Sequence, residues 1–142
     1  MQSSVILSRT WTSCPSQLSS IRKNITKACR LMSYSKQETN LIVLAIDEAC
    51  TNIMRYAYHN CTDGNILVEV SKKDNQAVFR LHDYAKKVSE DCIKIKPSPS
   101  LKPGGLGLTL INEVMDSVHF VHTDNCAGNI LEMKKDIPKE KL

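Results

Sequence analysis

One change of hydrophobic period constrains this chain more than any other feature. From Leu18 to Tyr58 the pattern is helical, and directly after Asp63-Gly64 it becomes that of strands. Leu18, Ile21, Ile25, Ala28 and Met32 recur at three-and-four spacing and form one face of a first helix, with Arg22, Lys23, Lys27 and Arg30 largely off it. Ser35-Lys36-Gln37-Glu38 fits a capping box, which opens a second helix expected to run to about Tyr58. Asn65 to Ser71 and Gln76 to Asp83 then read as two strands joined by the polar turn Lys72 to Asn75, a β-hairpin.

The flanks complete the pattern. Val5 to Leu7, with Arg9 and Trp11 beyond, reads as a short first strand, and Ser13-Cys14-Pro15 as a helix start with proline in the first turn. Tyr84 to Pro103 shows no sustained periodicity and carries Lys86, Lys87, Lys94, Lys96 and Lys102. It reads as a long mobile loop, and structureless stretches of about twenty residues inside compact domains are usually functional. Gly104-Gly105-Leu106-Gly107 ends the loop, Leu108, Ile111 and Met115 give a short helix, and two final strands span Ser117 to Thr123 and Asn129 to Lys135. The order predicts an α+β fold, a two-layer α/β sandwich whose mostly antiparallel sheet carries its helices on one face. A chain of 142 residues is one domain by length; it is expected over residues 1–137, with a tail at 138–142.

Composition narrows the function classes. The longest apolar run, Leu41 to Ile46, is far short of the roughly 18 to 20 residues that cross a bilayer, and no charged segment followed by an apolar one marks export. A cytoplasmic protein without a membrane role is expected. The six cysteines show no C-x-x-C spacing and are read as reduced thiols. His119, His122 and Cys126 are the one metal-like arrangement, but in a strand residues three apart face opposite ways, which disfavours zinc. The net charge is +4, yet residues up to Lys36 carry Arg9, Arg22, Lys23, Lys27 and Arg30 with no acid. Such a face attracts nucleic acid, anionic lipid or an acidic protein, with a merely solvated face the plainer alternative; one Trp, four Tyr and two Phe provide little for stacking bases, so direct nucleic-acid binding is not expected.

Three features carry candidate chemistry. Glu48 and Asn52 lie one helical turn apart on a stripe begun by Leu41 and Ala45. The small neighbours Ala49, Cys50 and Thr51 leave room beside them for a ligand or a hydrated metal. Burial with satisfaction by each other or by backbone is the alternative, and spacing alone leaves both open. The glycine cluster before the short helix suits a phosphate, because bare amides and a helix N-terminus favour anions; a flexible turn is the plainer alternative. Asp83 shares a strand face with Ala77, Phe79 and Leu81, which aims its carboxylate beneath the central helix unless it merely caps the turn.

Taken in order, these segments become recognisable. LAIDEACTNIMRYAY resembles the asparagine box of histidine-kinase-like (GHKL) ATPases, especially the bacterial anti-sigma factor serine kinases. GGLGLTLINEVMD is similar to that family's second glycine box, and GNILEMKK to its closing strand. The resemblance implies a sandwich holding Mg-ATP between helices and sheet beneath a mobile lid. By motif position it makes Glu48 the general base, Asn52 the magnesium ligand and Asp83 the acceptor of the adenine amino group. Ala85, Gly104, Gly105, Leu106, Gly107, Leu108 and Asn129 would complete the nucleotide site. It further implies a serine/threonine kinase that phosphorylates an antagonist protein of the STAS type and sequesters a sigma factor by partner switching, with homodimerisation a family expectation.

The segment after Asp83 departs from the family. Where relatives often have D-x-G-x-G, this chain has Asp83-Tyr84-Ala85-Lys86-Lys87, and Asn129 stands where many have threonine. If Ala85 keeps the backbone of the missing glycine, the strain predicts roughly five- to thirtyfold weaker ATP binding, restored by Ala85→Gly. That departure favours a second reading, a partner-switching adaptor with a weak or empty nucleotide site. A third is a regulator that binds ATP without turning it over.

Overall fold

The computed structural model describes residues 3–85, 109–121 and 128–138. Strand β1 spans Ser3–Thr12, helix α1 Leu18–Leu31 and helix α2 Lys36–Asn52. The hairpin follows as β2, Asn65–Lys73, and β3, Gln76–Asp83. Residues 109–114 are helical (α3), and the chain closes with β4, Ser117–Val121, and β5, Asn129–Asp136. The strands form one sheet in the order β1-β2-β3-β5-β4, and every neighbouring pair is antiparallel. This is the mixed α/β architecture expected from the order of periods.

Period two decides which side of the sheet meets the helices. Ile66, Val68 and Val70 on β2 and Ala77, Phe79 and Leu81 on β3 are fully buried in one cluster with Ile21, Ile25, Ile42 and Ile46 of the helices. Each such aliphatic or aromatic side chain contributes on the order of 1.5–3 kcal/mol by leaving water. The opposite side is polar. There Arg80 pairs with Glu132 at 2.6 Å and His82 with Glu69 at 2.6 Å, across adjacent strands.

The α1 stripe is buried as its spacing predicts, with Ile21, Ile25 and Ala28 facing inward and Arg22, Lys23, Lys27 and Arg30 largely on the outer side. Its start differs in detail. Pro15–Gln17 make a 3-10 turn first, and Ser13 caps nothing. Instead the buried Ser13 hydroxyl donates to the Cys61 carbonyl at 2.6 Å and accepts the Gly64 amide at 3.0 Å, tying the end of β1 to the loop before β2. At α2 the capping box forms in full: the Glu38 amide donates to Ser35 Oγ at 3.0 Å, and the Ser35 amide to Glu38 Oε1 at 3.3 Å.

Several boundaries move. β1 is ten residues long, with a bulge between Val5 and Leu7. The α-helical part of α2 ends at Asn52, short of Tyr58, and Ile53–Ala57 continue as a wider π-type turn. The hairpin turn is narrower than expected, with Lys73 opposite Gln76 and Asp74 at φ 55°. Leu41, read as the start of the Glu48 stripe, is exposed. The glycine cluster Gly104 to Gly107, Leu108, and most of the predicted loop lie outside the described residues.

Candidate functional site

Glu48 and Asn52 project from the last two turns of α2. Ala45 before them and Ala49 and Cys50 between them are buried in the core, which sets the helix phase and leaves Glu48 and Asn52 half-buried at its margin. Neither side chain makes a hydrogen bond or ion pair with another described residue. Mutual satisfaction, the alternative left open by spacing, is therefore not what the structure holds: a carboxylate and an amide stand one turn apart and available.

Asp83 sits on the helix-facing side of the sheet, at the end of β3 between Ile66 of β2 and Asn129 of β5. It is 5% exposed. Its Oδ1 accepts from Asn129 Nδ2 at 3.0 Å and from the Ala85 amide at 3.2 Å, so two donors hold the carboxylate in orientation. Both are residues the motif resemblance selects. Gly128 closes the arrangement. It has φ +87°, and a Cβ there would collide with the Asp83 carbonyl oxygen, so only glycine lets β5 begin this close to Asp83.

Ala85 differs from expectation. Outside glycine, positive φ among the described residues occurs at Ser33, His59, Asn60 and Asp74, and not at Ala85. The left-handed strain argued from the missing glycine is absent. Ala85 is buried, and its amide is turned back onto Asp83 in a short local turn that a Cβ tolerates.

Tyr58 is a contributor that sequence reading missed. Its hydroxyl donates to the Asn65 carbonyl and accepts the Tyr84 amide, both at 2.6 Å. Burial raises its pKa, so the hydroxyl keeps its proton through the neutral range. No periodicity marks it, because its partners are distant in sequence. Trp11, 3% exposed, lies in the same cross-strand row through Ile66 and donates to Ser20 Oγ at 3.0 Å.

Among the described residues no three His, Cys, Asp or Glu side chains gather to hold a metal. His119 is exposed on β4 opposite Glu132, while His122 and Cys126 lie outside those residues. Cys14, Cys29, Cys50 and Cys61 are free thiols. A Mg²⁺ ion shared with phosphates needs only one or two protein oxygens, which the unengaged Asn52 amide can supply. Among the described residues no helix is long and apolar enough to cross a membrane.

A five-stranded antiparallel sheet that buries one face against its helices defines the class, a mixed α/β sandwich. The histidine kinase-like ATPase domain matches residues 11–135, and the chain belongs to that family. It is 30% identical over 130 residues to proteins named serine-protein kinase RsbW from Bacillus thuringiensis strain Al Hakam and Bacillus cereus strain 03BB102, covering 86% of this chain and 79% of each relative. The same protein of Bacillus cereus strain B4264 matches to the same extent. The family read from LAIDEACTNIMRYAY and GGLGLTLINEVMD is thereby shown.

Proposed function

We propose that this chain is a cytoplasmic serine/threonine kinase of the anti-sigma type. It would bind Mg-ATP between α2 and the sheet, phosphorylate an antagonist protein of the STAS type, and sequester a sigma factor by turns. The observation that carries the reading is the contrast between buried, doubly held Asp83 and the half-buried, unengaged Glu48 and Asn52 on the helix above that sheet face. Kinship with proteins named as serine-protein kinases supports it. When bound, Mg-ATP supplies the phosphoryl group and neutralises its charge.

The roles follow from environment. A carboxylate held by Asn129 and the Ala85 amide presents a fixed acceptor, suited to the adenine amino group and hostile to a carbonyl in its place. Asn52 offers a neutral oxygen to the ion without adding charge repulsion toward phosphates. Glu48 keeps a solvent-facing carboxylate that takes the proton of the acceptor hydroxyl as its oxygen attacks. Gly104, Gly105, Leu106, Gly107 and Leu108 are assigned to the phosphates by motif position alone. The adaptor reading rested on the altered segment after Asp83; of its two replaced glycines, Ala85 has no positive φ and Lys87 lies outside the described residues.

Isothermal calorimetry with Mg-ATP, followed by transfer from labelled ATP to an antagonist protein, tests the assignment. Asn52→Ala is expected to abolish the magnesium-dependent part of binding. Glu48→Gln should bind within about twofold of wild type and lose transfer by roughly a hundredfold or more. If both variants equal wild type in affinity and rate, the site is misassigned.

A further inference from the structure

The wide turn after Asn52 shapes the far side of the site. In an α-helix the Tyr58 amide would reach Met54; here it bonds the Ile53 carbonyl at 3.1 Å, and the Met54 carbonyl is taken by the Asn60 amide at 2.9 Å. One extra residue in a turn rotates the downstream chain by about 100°, and such turns concentrate at functional positions. The rotation lays the Tyr58 ring on Gly64, where an added Cβ would stand 2.5 Å from the ring Cε1. Glycine is therefore what admits the ring.

The hydroxyl then reaches a particular place in the sheet. Ile66 of β2 faces Asp83 of β3, so Asn65 and Tyr84 would form the next rung of the ladder. That rung is occupied by the tyrosine: its O–H donates to the Asn65 carbonyl, and its oxygen accepts the Tyr84 amide. The strands end splayed around a side chain from the helix layer. On the opposite flank Gly128 lies against the Asp83 carbonyl and the Tyr84 Cα. The backbone carrying Asp83 is thus gripped from both sides.

We propose that Tyr58 is a positioning residue for base recognition, its hydroxyl fixing the Asp83–Ala85 backbone so that the Asp83 carboxylate meets the base in one orientation. The role rests on reading Asp83 as the adenine acceptor. It explains how Asp83 to Ala85 hold their path without a glycine at Ala85: side-chain bonds from Tyr58 and Asn129 define it.

Tyr58→Phe retains the ring on Gly64 and removes only the hydroxyl. Compared with wild type by calorimetry, it should lose roughly tenfold in the ratio of ATP to GTP affinity, the equivalent of one neutral hydrogen bond. Affinity for inorganic tripolyphosphate should not change, because it makes no base contact, and hydrogen exchange at the Tyr84 amide should quicken in the nucleotide-free protein. Gly64→Ala, which displaces the ring, should reproduce the loss of selectivity. An unchanged ATP-to-GTP ratio in Tyr58→Phe, or unchanged exchange at Tyr84, overturns this role alone. Equal losses for ATP and tripolyphosphate would mark a general loosening of the fold and overturn it as well. Wild-type protein that binds no Mg-ATP overturns the kinase reading, and this role with it.

Discussion

At the scale of single residues, Ala85 and Gly128 exchange the importance that sequence alone assigns them. Ala85 replaces a family glycine but has no positive φ, so restoring glycine relieves nothing. Gly128 looks like an ordinary loop residue, yet it has φ +87° and touches the Asp83 backbone. Ala85→Gly is therefore expected to change ATP affinity by less than about twofold, since no left-handed strain exists to remove. Gly128→Ala adds left-handed strain and a collision with Asp83, for a loss on the order of 2–3 kcal/mol in urea denaturation. It should also weaken ATP binding, because the collision falls on Asp83, the residue proposed to meet the base. A fivefold gain from Ala85→Gly would show that the bound segment follows another path.

Elements were legible in sequence to the extent that their signals are local. The α2 start was readable because Ser35 and Glu38 bond within one turn, and the α1 face because its period decides burial. The end of α2 was not, since the π-type turn depends on a ring packed on Gly64 and on Tyr84, 26 positions away. β1 was underestimated because pairing with β2, and not alternation, sustains its ten residues through a bulge. Spacing placed Glu48 and Asn52 on one helical face and Asp83 on the buried sheet face, while their roles came from the family resemblance alone; Tyr58 and Gly128 act through contacts no spacing encodes. The basic face of α1 is likewise only partly as read. Arg22 is bonded to Asp47 of α2 at 2.7 Å, which leaves Lys23, Lys27 and Arg30 to steer an acidic partner. Neutralising those three should flatten the salt dependence of the association rate measured by stopped flow between low and physiological ionic strength. Arg22→Ala should leave the slope nearer wild type. Equal slopes for wild type and the triple variant would remove α1 from the docking surface.

For the whole molecule, burying thiols and a phenol in one core couples stability to alkaline pH. Cys29 and Cys50 are fully enclosed, and burial pushes both thiols from 9.0 up to about 12. Burial, with the nearby Cys29 thiol and acidic groups, also raises Tyr34 well above its ordinary value, while its hydroxyl donates to the Lys135 carbonyl at 2.9 Å. In each case the folded state keeps a proton that the unfolded chain releases first. Stability is accordingly whole below the unfolded values and falls as pH climbs through 9 toward the folded ones, by on the order of 1 kcal/mol per pH unit for each thiol. Cys14 opposes this weakly: its hydrogen bonds to Ser16 lower its pKa, so its contribution rises with pH. Urea midpoints measured from pH 8 to 10 should therefore decline, and Cys50→Ala should decline less steeply than wild type even if it starts lower from the cavity left behind. The slope separates ionisation from packing, because the lost contacts shift every midpoint equally while the lost ionisation changes the dependence on pH. A Cys50→Ala curve parallel to wild type across that range would mean that Cys50 reaches solvent in the native state and that the core between α2 and the sheet is looser than its burial indicates.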